Sequence, residues 1–191
     1  MKSAIHACKF LVALETPHSQ VTEQELHCLL NYATGREVIV EIGCYEGRTT
    51  AALARQTQGR VFSIDPFLAG RLRICYGEVI AKIHCKRQGA RNVEFIKGFS
   101  HDVAPEFSKA IDLLFIDADH SYESIKRDWH DWFSKVRPGG IIALHDSRIA
   151  PNSPSYLGSM KFYDRDIPQM SGIEQVDSVD SLAVLRVQES Q

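Results

Sequence analysis

Short β-branched runs that alternate with helical segments are the feature that most constrains this fold. The runs lie at 38–42, 61–64, 93–96, 111–116 and 141–144. Helical spacing of apolar residues fills the intervals, around 22–33, 49–56, 68–88 and 122–136. Continuous apolar runs are typical of strands buried on both faces. Their alternation with helices implies βαβ units, so the sequence predicts an α/β fold with a mostly parallel sheet.

Length and charge limit the domain organisation and the class of partner. The 191 residues suit one α/β domain, 36–191, preceded by an N-terminal helical arm, 1–35, that contains the capping-box pattern Thr22-x-x-Glu25. A net charge of −2 offers no basic surplus for nucleic acid. No apolar run approaches the roughly 18 residues of a membrane span. The five cysteines form no C-x-x-C pair, which favours reduced thiols in a cytoplasmic protein.

A glycine-containing turn follows the first strand and leads into a helix. Its residues are Glu41-Ile42-Gly43-Cys44-Tyr45-Glu46-Gly47-Arg48-Thr49. Glycine lets a backbone turn tightly and approach a ligand, and the free N–H groups at a helix start favour a negative group. The turn lacks the G-x-G-x-x-G spacing of dinucleotide sites, and a turn without any ligand remains an alternative.

The next two strand ends carry further polar side chains. Asp65 ends the second strand, 22 residues after Gly43, where an acid can accept both hydroxyls of a ribose. The alternative is that Asp65 caps a turn. Ser100 follows the third strand and either meets an adenine edge or caps the next helix.

Two acids and two histidines follow the fourth and fifth strands. Asp117 and Asp146 should lie on the same edge of the sheet, and a hard cation such as Mg²⁺ would relieve their repulsion. His145 is a third candidate ligand, which would favour a metal softer than magnesium. His120 lies in the loop over the same edge and can accept a proton near neutral pH. The alternative is that both acids cap loops and both histidines are structural.

Together these segments resemble a class I S-adenosylmethionine-dependent methyltransferase over about residues 22–147. The resemblance rests on the glycine turn, on Asp65, on the run Ile111-Asp112-Leu113-Leu114-Phe115-Ile116-Asp117-Ala118-Asp119-His120-Ser121-Tyr122 and on Arg137-Pro138-Gly139-Gly140-Ile141. It implies a Rossmann-like, seven-stranded sheet with helices on both faces and an antiparallel last strand. The implied cofactor residues are Glu41 and Gly43 beside the methionine part, Thr49 near its carboxylate, Asp65 on the ribose and Ser100 near the adenine, with Tyr45, Gly47 and Asp117 in the same site.

Two metal-dependent branches of that superfamily are the most similar. They are the catechol and caffeoyl-coenzyme A type and the macrocin and mycinamicin sugar type, in which acids matching Asp117 and Asp146 hold magnesium. Ser147 departs from the Asn of the catechol type, and His145 departs from an acid of the sugar type. His120 stands where the sugar type has its general base.

The resemblance predicts methyl transfer to a hydroxyl of a small molecule, with divalent-metal assistance from Asp117 and Asp146 and with His120 as base. The alternatives are a nicotinamide-dependent oxidoreductase and a non-catalytic module that binds the cofactor. The long segment 147–172 is expected to shape the acceptor pocket together with the arm, or to serve a homodimer interface.

Overall fold

The computed structural model describes residues 2–70, 73–150 and 155–189, which form one seven-stranded sheet flanked by helices. The strands are β1 (Val38–Ile42), β2 (Arg60–Asp65), β3 (Val93–Lys97), β4 (Ile111–Ile116), β5 (Val136–Leu144), β6 (Ile173–Val179) and β7 (Leu182–Val187). The helices are α1 (Lys2–Leu11), α2 (Glu23–Ala33), α3 (Arg48–Gln56), α4 (Tyr76–Arg87), α5 (Ser100–Val103), α6 (Tyr122–Trp132) and α7 (Gly158–Arg165). Short 3₁₀ turns cover Ala104–Glu106, Phe133–Lys135 and Ile167–Gln169.

The order of strands in the sheet is β3-β2-β1-β4-β5-β7-β6. Strands β1 to β5 pair in parallel, whereas β7 is antiparallel to both β5 and β6. The predicted Rossmann-like sheet with an antiparallel last strand is therefore confirmed. The chain reverses its direction of winding between β1 and β4, which is where such sheets open a crevice at the carboxyl ends of the strands.

Each face of the sheet carries its own hydrophobic core. Helices α2, α3 and α4 cover one face, where Leu29 and Leu53 pack against Ile39 and Phe115. Helices α6 and α7 cover the other face through the fully buried Trp132 and Phe162. The aromatic side chains of α6 thus belong to the core, as the helical spacing predicts. Helix α2, within the predicted arm, packs in the same core as the sheet.

Two element boundaries differ from the sequence pattern. The helix predicted over 68–88 begins only at Tyr76, after the N-cap Cys75. The fifth strand begins at Val136 and runs through Arg137-Pro138-Gly139-Gly140, which had indicated only a break. A register shift in the β4–β5 pairing absorbs this segment, with Gly139 at a φ of +74°.

None of the helices in the described ranges is long and apolar enough to cross a lipid bilayer.

Candidate functional site

A pocket of about 620 Å³ lies at the carboxyl ends of β1, β2 and β4. This volume falls within the range of small-molecule sites. The lining comes from the turn after β1, from the ends of β2 and β4, from the start of α5, from α6 and from residues 18–20 of the arm. The described residues of 147–172 contribute nothing to it. Their predicted share in an acceptor pocket therefore remains a prediction.

Gly43 lets the turn after β1 cross directly beside the end of β4. Its φ is +96°, and a Cβ built on it would lie 2.1 Å from the backbone oxygen of Asp117. The Gly43 N–H donates to Ile64 O at 2.9 Å, and the Asp117 N–H donates to Ile42 O at 2.9 Å. The three strand ends are thus joined at a point that has no room for a side chain, and the pocket opens beside it.

The rest of the turn divides into lining and support. Tyr45, with a φ of +52°, and Thr49 both line the pocket. Gly47 instead faces α4, where a Cβ would lie 2.9 Å from the Cα of Ala81. Gly47 therefore allows the turn to pack closely on α4. It was predicted to be a cofactor residue, but it supports the pocket from behind and is not part of its lining.

Asp65 holds the glycine turn and also faces the pocket. Its Oδ2 accepts the N–H groups of Cys44 and Tyr45 at 3.0 and 3.1 Å, and its Oδ1 accepts the N–H of Phe67 at 2.7 Å. Each carboxylate oxygen has two lone pairs, so Oδ2 is already fully used and Oδ1 can still accept one hydroxyl. The turn-capping and ribose-binding interpretations are compatible.

Glu41 lies beneath the pocket and not in its lining. The side chain is fully buried, and its Oε2 accepts hydrogen bonds from Thr50 and Ser63. Its Oε1 has no hydrogen-bond partner. Burial raises the pKa of Glu41 to about 8, with only partial opposition from the two hydroxyls. The structure does not place Glu41 in the direct cofactor contact that the resemblance implies.

Ser100 lines the pocket at the start of α5. Its hydroxyl donates to Asp128 on α6, and the N-cap position belongs to Phe99, so Ser100 is not the cap. Burial raises the pKa of Asp128 to about 6. Asp128 also lines the pocket, and the sequence analysis missed it.

His145 lies buried among three carboxylates. Its Nε2 is 3.2 Å from Glu25 Oε2, and its Nδ1 is 2.9 Å from Asp117 Oδ1 and 3.5 Å from Asp146 Oδ2. Burial disfavours the imidazolium, but Asp117 and Glu25 outweigh burial and raise the pKa of His145 to about 10. Burial likewise would raise the pKa of Glu25, yet His145 and Ser181 lower it to about 2. The imidazole therefore carries the positive charge of this cluster.

This arrangement does not fit a magnesium site at Asp117, His145 and Asp146. The three residues do meet, as predicted, but the imidazole itself lies between the two acids where a cation would have to sit. Their ligand atoms do not all come within 4.8 Å of one another. Magnesium also prefers an all-oxygen shell. The Nδ1 atom is buried and has no hydrogen bond of good geometry, although Asp117 Oδ1 lies 2.9 Å away.

His120 stands at the rim of the pocket, beside Asp146. Its Nε2 is 3.4 Å from Asp146 Oδ2, and about a quarter of its side chain is exposed. Asp146 has a φ of +48°, an uncommon conformation for a residue other than glycine. Ser159 on α7 fixes both neighbours, since its N–H donates to His120 O at 3.0 Å and its hydroxyl donates to Asp146 O at 2.5 Å.

Sequence reasoning missed the supporting residues of this site. Glu25 was visible only as part of a capping box, which the structure confirms. Its pairing with His145 spans 120 residues of sequence. Ser159 carried no signal at all. A capping Glu that becomes fully buried is the one clue that could have drawn attention to Glu25.

The fold and the pocket define a class of protein: a Rossmann-like domain with a ligand crevice at the reversal of strand order. A family profile described as "Methyltransferase domain" matches residues 40–147, more than half of the chain. The chain belongs to this methyltransferase family. Membership does not favour the nicotinamide-dependent alternative.

Three similar proteins illustrate the relationship. Uncharacterized protein R132 of Acanthamoeba polyphaga mimivirus is 29% identical over 153 residues, which is 74% of this chain and 67% of that protein. The crystal structure of cofactor-bound Rv0187 from MTB has a TM-score of 0.75 at 23% identity, covering 100% of this chain and 91% of that one. The O-methyltransferase TomG from Streptomyces achromogenes, in complex with SAM, has a TM-score of 0.71 at 18% identity, covering 99% and 91%. The fold is that of S-adenosylmethionine-dependent methyltransferases.

Proposed function

We propose that this protein transfers a methyl group from S-adenosylmethionine to a hydroxyl oxygen of a small molecule, with His120 as general base. One observation carries the proposal: His120 lies at the rim of the same pocket that the glycine turn and Asp65 line. The O-methyltransferase title of the structural neighbour TomG supports the same reaction class. The sulfonium of the cofactor supplies an electrophilic methyl group when bound.

The chain offers a fitting cradle for that cofactor. Gly43 leaves the backbone without a side chain where it lines the pocket, and the Asp65 carboxylate in the same lining would accept a ribose hydroxyl. Thr49 lies in the first turn of α3, where N–H groups favour the methionine carboxylate. Ser100 and Asp128 together present oxygen acceptors for the amino group of an adenine. Glu41, from below, holds Thr50 and Ser63 under the turn.

His120 would take the proton that the acceptor hydroxyl loses. Asp146 lies at ion-pair distance from Nε2 and would hold the tautomer with a proton there, so that Nδ1 is the accepting nitrogen. In the reaction the acceptor oxygen forms its bond to the methyl carbon, the sulfur–methyl bond breaks with its electron pair going to sulfur, and the hydroxyl proton passes to His120. Aligning the two reactants accounts for most of the expected acceleration.

The catalytic test is a His120→Ala variant assayed with radiolabelled S-adenosylmethionine against catechol, a hydroxycinnamate and a methyl glycoside. Loss of a general base should slow turnover by about 10²–10⁴-fold and leave S-adenosylhomocysteine affinity within about twofold. His130→Ala is the matched control, because His130 is exposed on α6 and its Nδ1 lies 3.3 Å from Asp131 Oδ1, away from the pocket lining. Equal turnover in the His120 variant and the parent would remove His120 from the mechanism.

The predicted metal assistance is testable in the same assay. Because His145 already pairs with Asp117 and Asp146, we expect turnover to survive a chelator and to be insensitive to added Mg²⁺. Loss of turnover with the chelator, restored by Mg²⁺ in the parent but not in Asp146→Ala, would show that the metal-dependent mechanism implied by the resemblance is correct instead. A non-catalytic module would bind S-adenosylhomocysteine and methylate none of the acceptors.

A further inference from the structure

Three side chains at the N-terminus form a cluster that the proposed reaction does not use. We call His6, Glu15 and His18 the arm cluster. His6 lies on α1, and the other two lie in the segment between α1 and α2. One nitrogen or oxygen from each residue lies within 4.8 Å of the others. In the described parts of the chain, this is the only group of three or more histidine, cysteine or acidic side chains that meets this distance.

The surroundings of His6 resemble those of a metal-binding histidine. Its Nε2 is 2.9 Å from Glu46 Oε2, within the glycine turn, and both side chains are buried. Metal-ligating histidines commonly donate the other ring N–H to a carboxylate, which orients the ring. With the proton on Nε2, the lone pair of Nδ1 points towards Glu15 Oε2, 2.5 Å away. At that distance a cation must lie between the two atoms, which is either a second proton on His6 or a metal ion that takes its place.

His18 brings a second imidazole to the same point. Its ring stacks on that of His6, with centroids 3.8 Å apart and planes 11° apart. The backbone N–H of His18 donates to Glu46 Oε2 at 2.6 Å, and the ring Nδ1 lies 3.6 Å from Glu46 Oε1. Lys9 is the other charged group here, and it contacts Glu15 through Oε1, leaving Oε2 for the cluster.

This donor set matches zinc chemistry and not magnesium chemistry. Two imidazoles and one carboxylate are ordinary zinc ligands, with bonds of about 2.0–2.2 Å in a tetrahedral arrangement. Tetrahedral ligands at that bond length are about 3.3 Å apart. Reaching that spacing opens the His6 Nδ1–Glu15 Oε2 pair by about 0.8 Å and brings the third donor in by about 1.5 Å or less. The exposed His18 ring makes most of this movement and turns out of its stack on His6.

We propose that the arm cluster binds one zinc-class divalent cation through His6 Nδ1, a Glu15 carboxylate oxygen and a ring nitrogen of His18, with water in the fourth position. The bound cation holds the arm against Glu46, which contacts His6 and is itself part of the glycine turn. His18, Ser19 and Gln20 line the rim of the pocket, so the bound cation also fixes one wall of it.

The test is calorimetric titration of the chelator-treated protein, carrying no histidine tag, with zinc chloride. We expect one zinc per chain, with affinity reduced about tenfold or more in His18→Ala and in Glu15→Gln. His130→Ala should bind zinc like the parent, and magnesium chloride should give no heat. As a second readout, zinc should slow tryptic cleavage after the half-exposed Lys9 in the parent but not in His18→Ala.

Two results would overturn the proposal. One is the absence of stoichiometric zinc binding. The other is unchanged binding in both cluster variants, particularly if His145→Asn abolishes it, because the zinc would then occupy the cluster around Asp117. Neither result bears on methyl transfer, which is measured separately through His120.

Discussion

Replacing Gly43 with alanine tests the close approach of the turn after β1 to the end of β4, beside the pocket. Alanine at a φ of +96° costs about 1–2 kcal/mol from its own backbone. The new Cβ would lie 2.1 Å from Asp117 O, and real Cβ contacts are not shorter than 3.0 Å, so the two segments must separate by about 1 Å. That separation weakens the hydrogen bonds Gly43 N–Ile64 O and Asp117 N–Ile42 O, each contributing about 1 kcal/mol.

Together these effects should lower the free energy of unfolding of Gly43→Ala by about 3–4 kcal/mol. For a chain of this length, each kcal/mol lowers Tm by about 2–4 °C, so calorimetry should show a fall of about 10 °C. The same displacement should weaken S-adenosylhomocysteine binding.

Gly89→Ala is the matched control for backbone strain alone. Gly89 has a φ of +72°, but a Cβ there would meet nothing within 4 Å. The Gly89→Ala variant should lose about 1–2 kcal/mol in its free energy of unfolding, and its cofactor affinity should not change. The reasoning fails if both alanine variants melt at the same temperature, since the contact with Asp117 would then contribute nothing.

Two further variants test buried charges. Glu25→Gln should cost about 3 kcal/mol by denaturant titration, because it removes one partner of a buried ion pair. The pKa of Glu25 is lowered from 4.5 to about 2, and that of His145 is raised from 6.5 to about 10. The pair therefore contributes fully to the free energy of unfolding only between about pH 4.5 and 6.5. This contribution declines as pH falls towards 2 and as pH rises towards 10, and a variant with the parent's pH profile would contradict the pairing. The two shifts report one interaction and are not additive. Asp112→Ala should cost about 2 kcal/mol, because Glu37 N and Val38 N lose their acceptor at 2.7 and 2.8 Å and Arg137 loses its partner. The exposed Asp102→Ala is its control, and equal stabilities of these two variants would show that Asp112 is not structural.

The sequence could predict those elements whose pattern is local. Strands β1 to β4 appear as short apolar runs, and α6 begins at Tyr122 as its pattern predicts. Helix α6 ends at Trp132, before the predicted end at 136, and a 3₁₀ turn over Phe133–Lys135 follows it. The glycine turn and Asp65 meet because parallel strands bring their carboxyl ends to one edge. The convergence of Asp117 with Asp146 has the same origin.

Tertiary contacts decide what the sequence could not predict. Val136 pairs with Ile111 and Ile141 pairs with Leu113, so residues 137–140 form a bulge in β5 at the register shift. The sequence places His145 at the rim of the sheet. Its charge, however, depends on Glu25 of α2, which lies 120 residues earlier in the sequence. The interpretation of His145 as a metal ligand followed from local spacing alone. In the structure the buried Glu25 carboxylate pairs with the imidazole, which acts as the cation of an ion pair.

The most direct test of the central claim is calorimetric titration of the parent protein with S-adenosylhomocysteine and, separately, with NAD. The account predicts saturable binding of one S-adenosylhomocysteine per chain and no measurable heat with NAD. We also expect weaker S-adenosylhomocysteine binding in Asp65→Ala, because the Asp65 carboxylate lines the pocket and holds the glycine turn. Absence of S-adenosylhomocysteine binding by the folded parent, or tighter binding of NAD, would contradict the account.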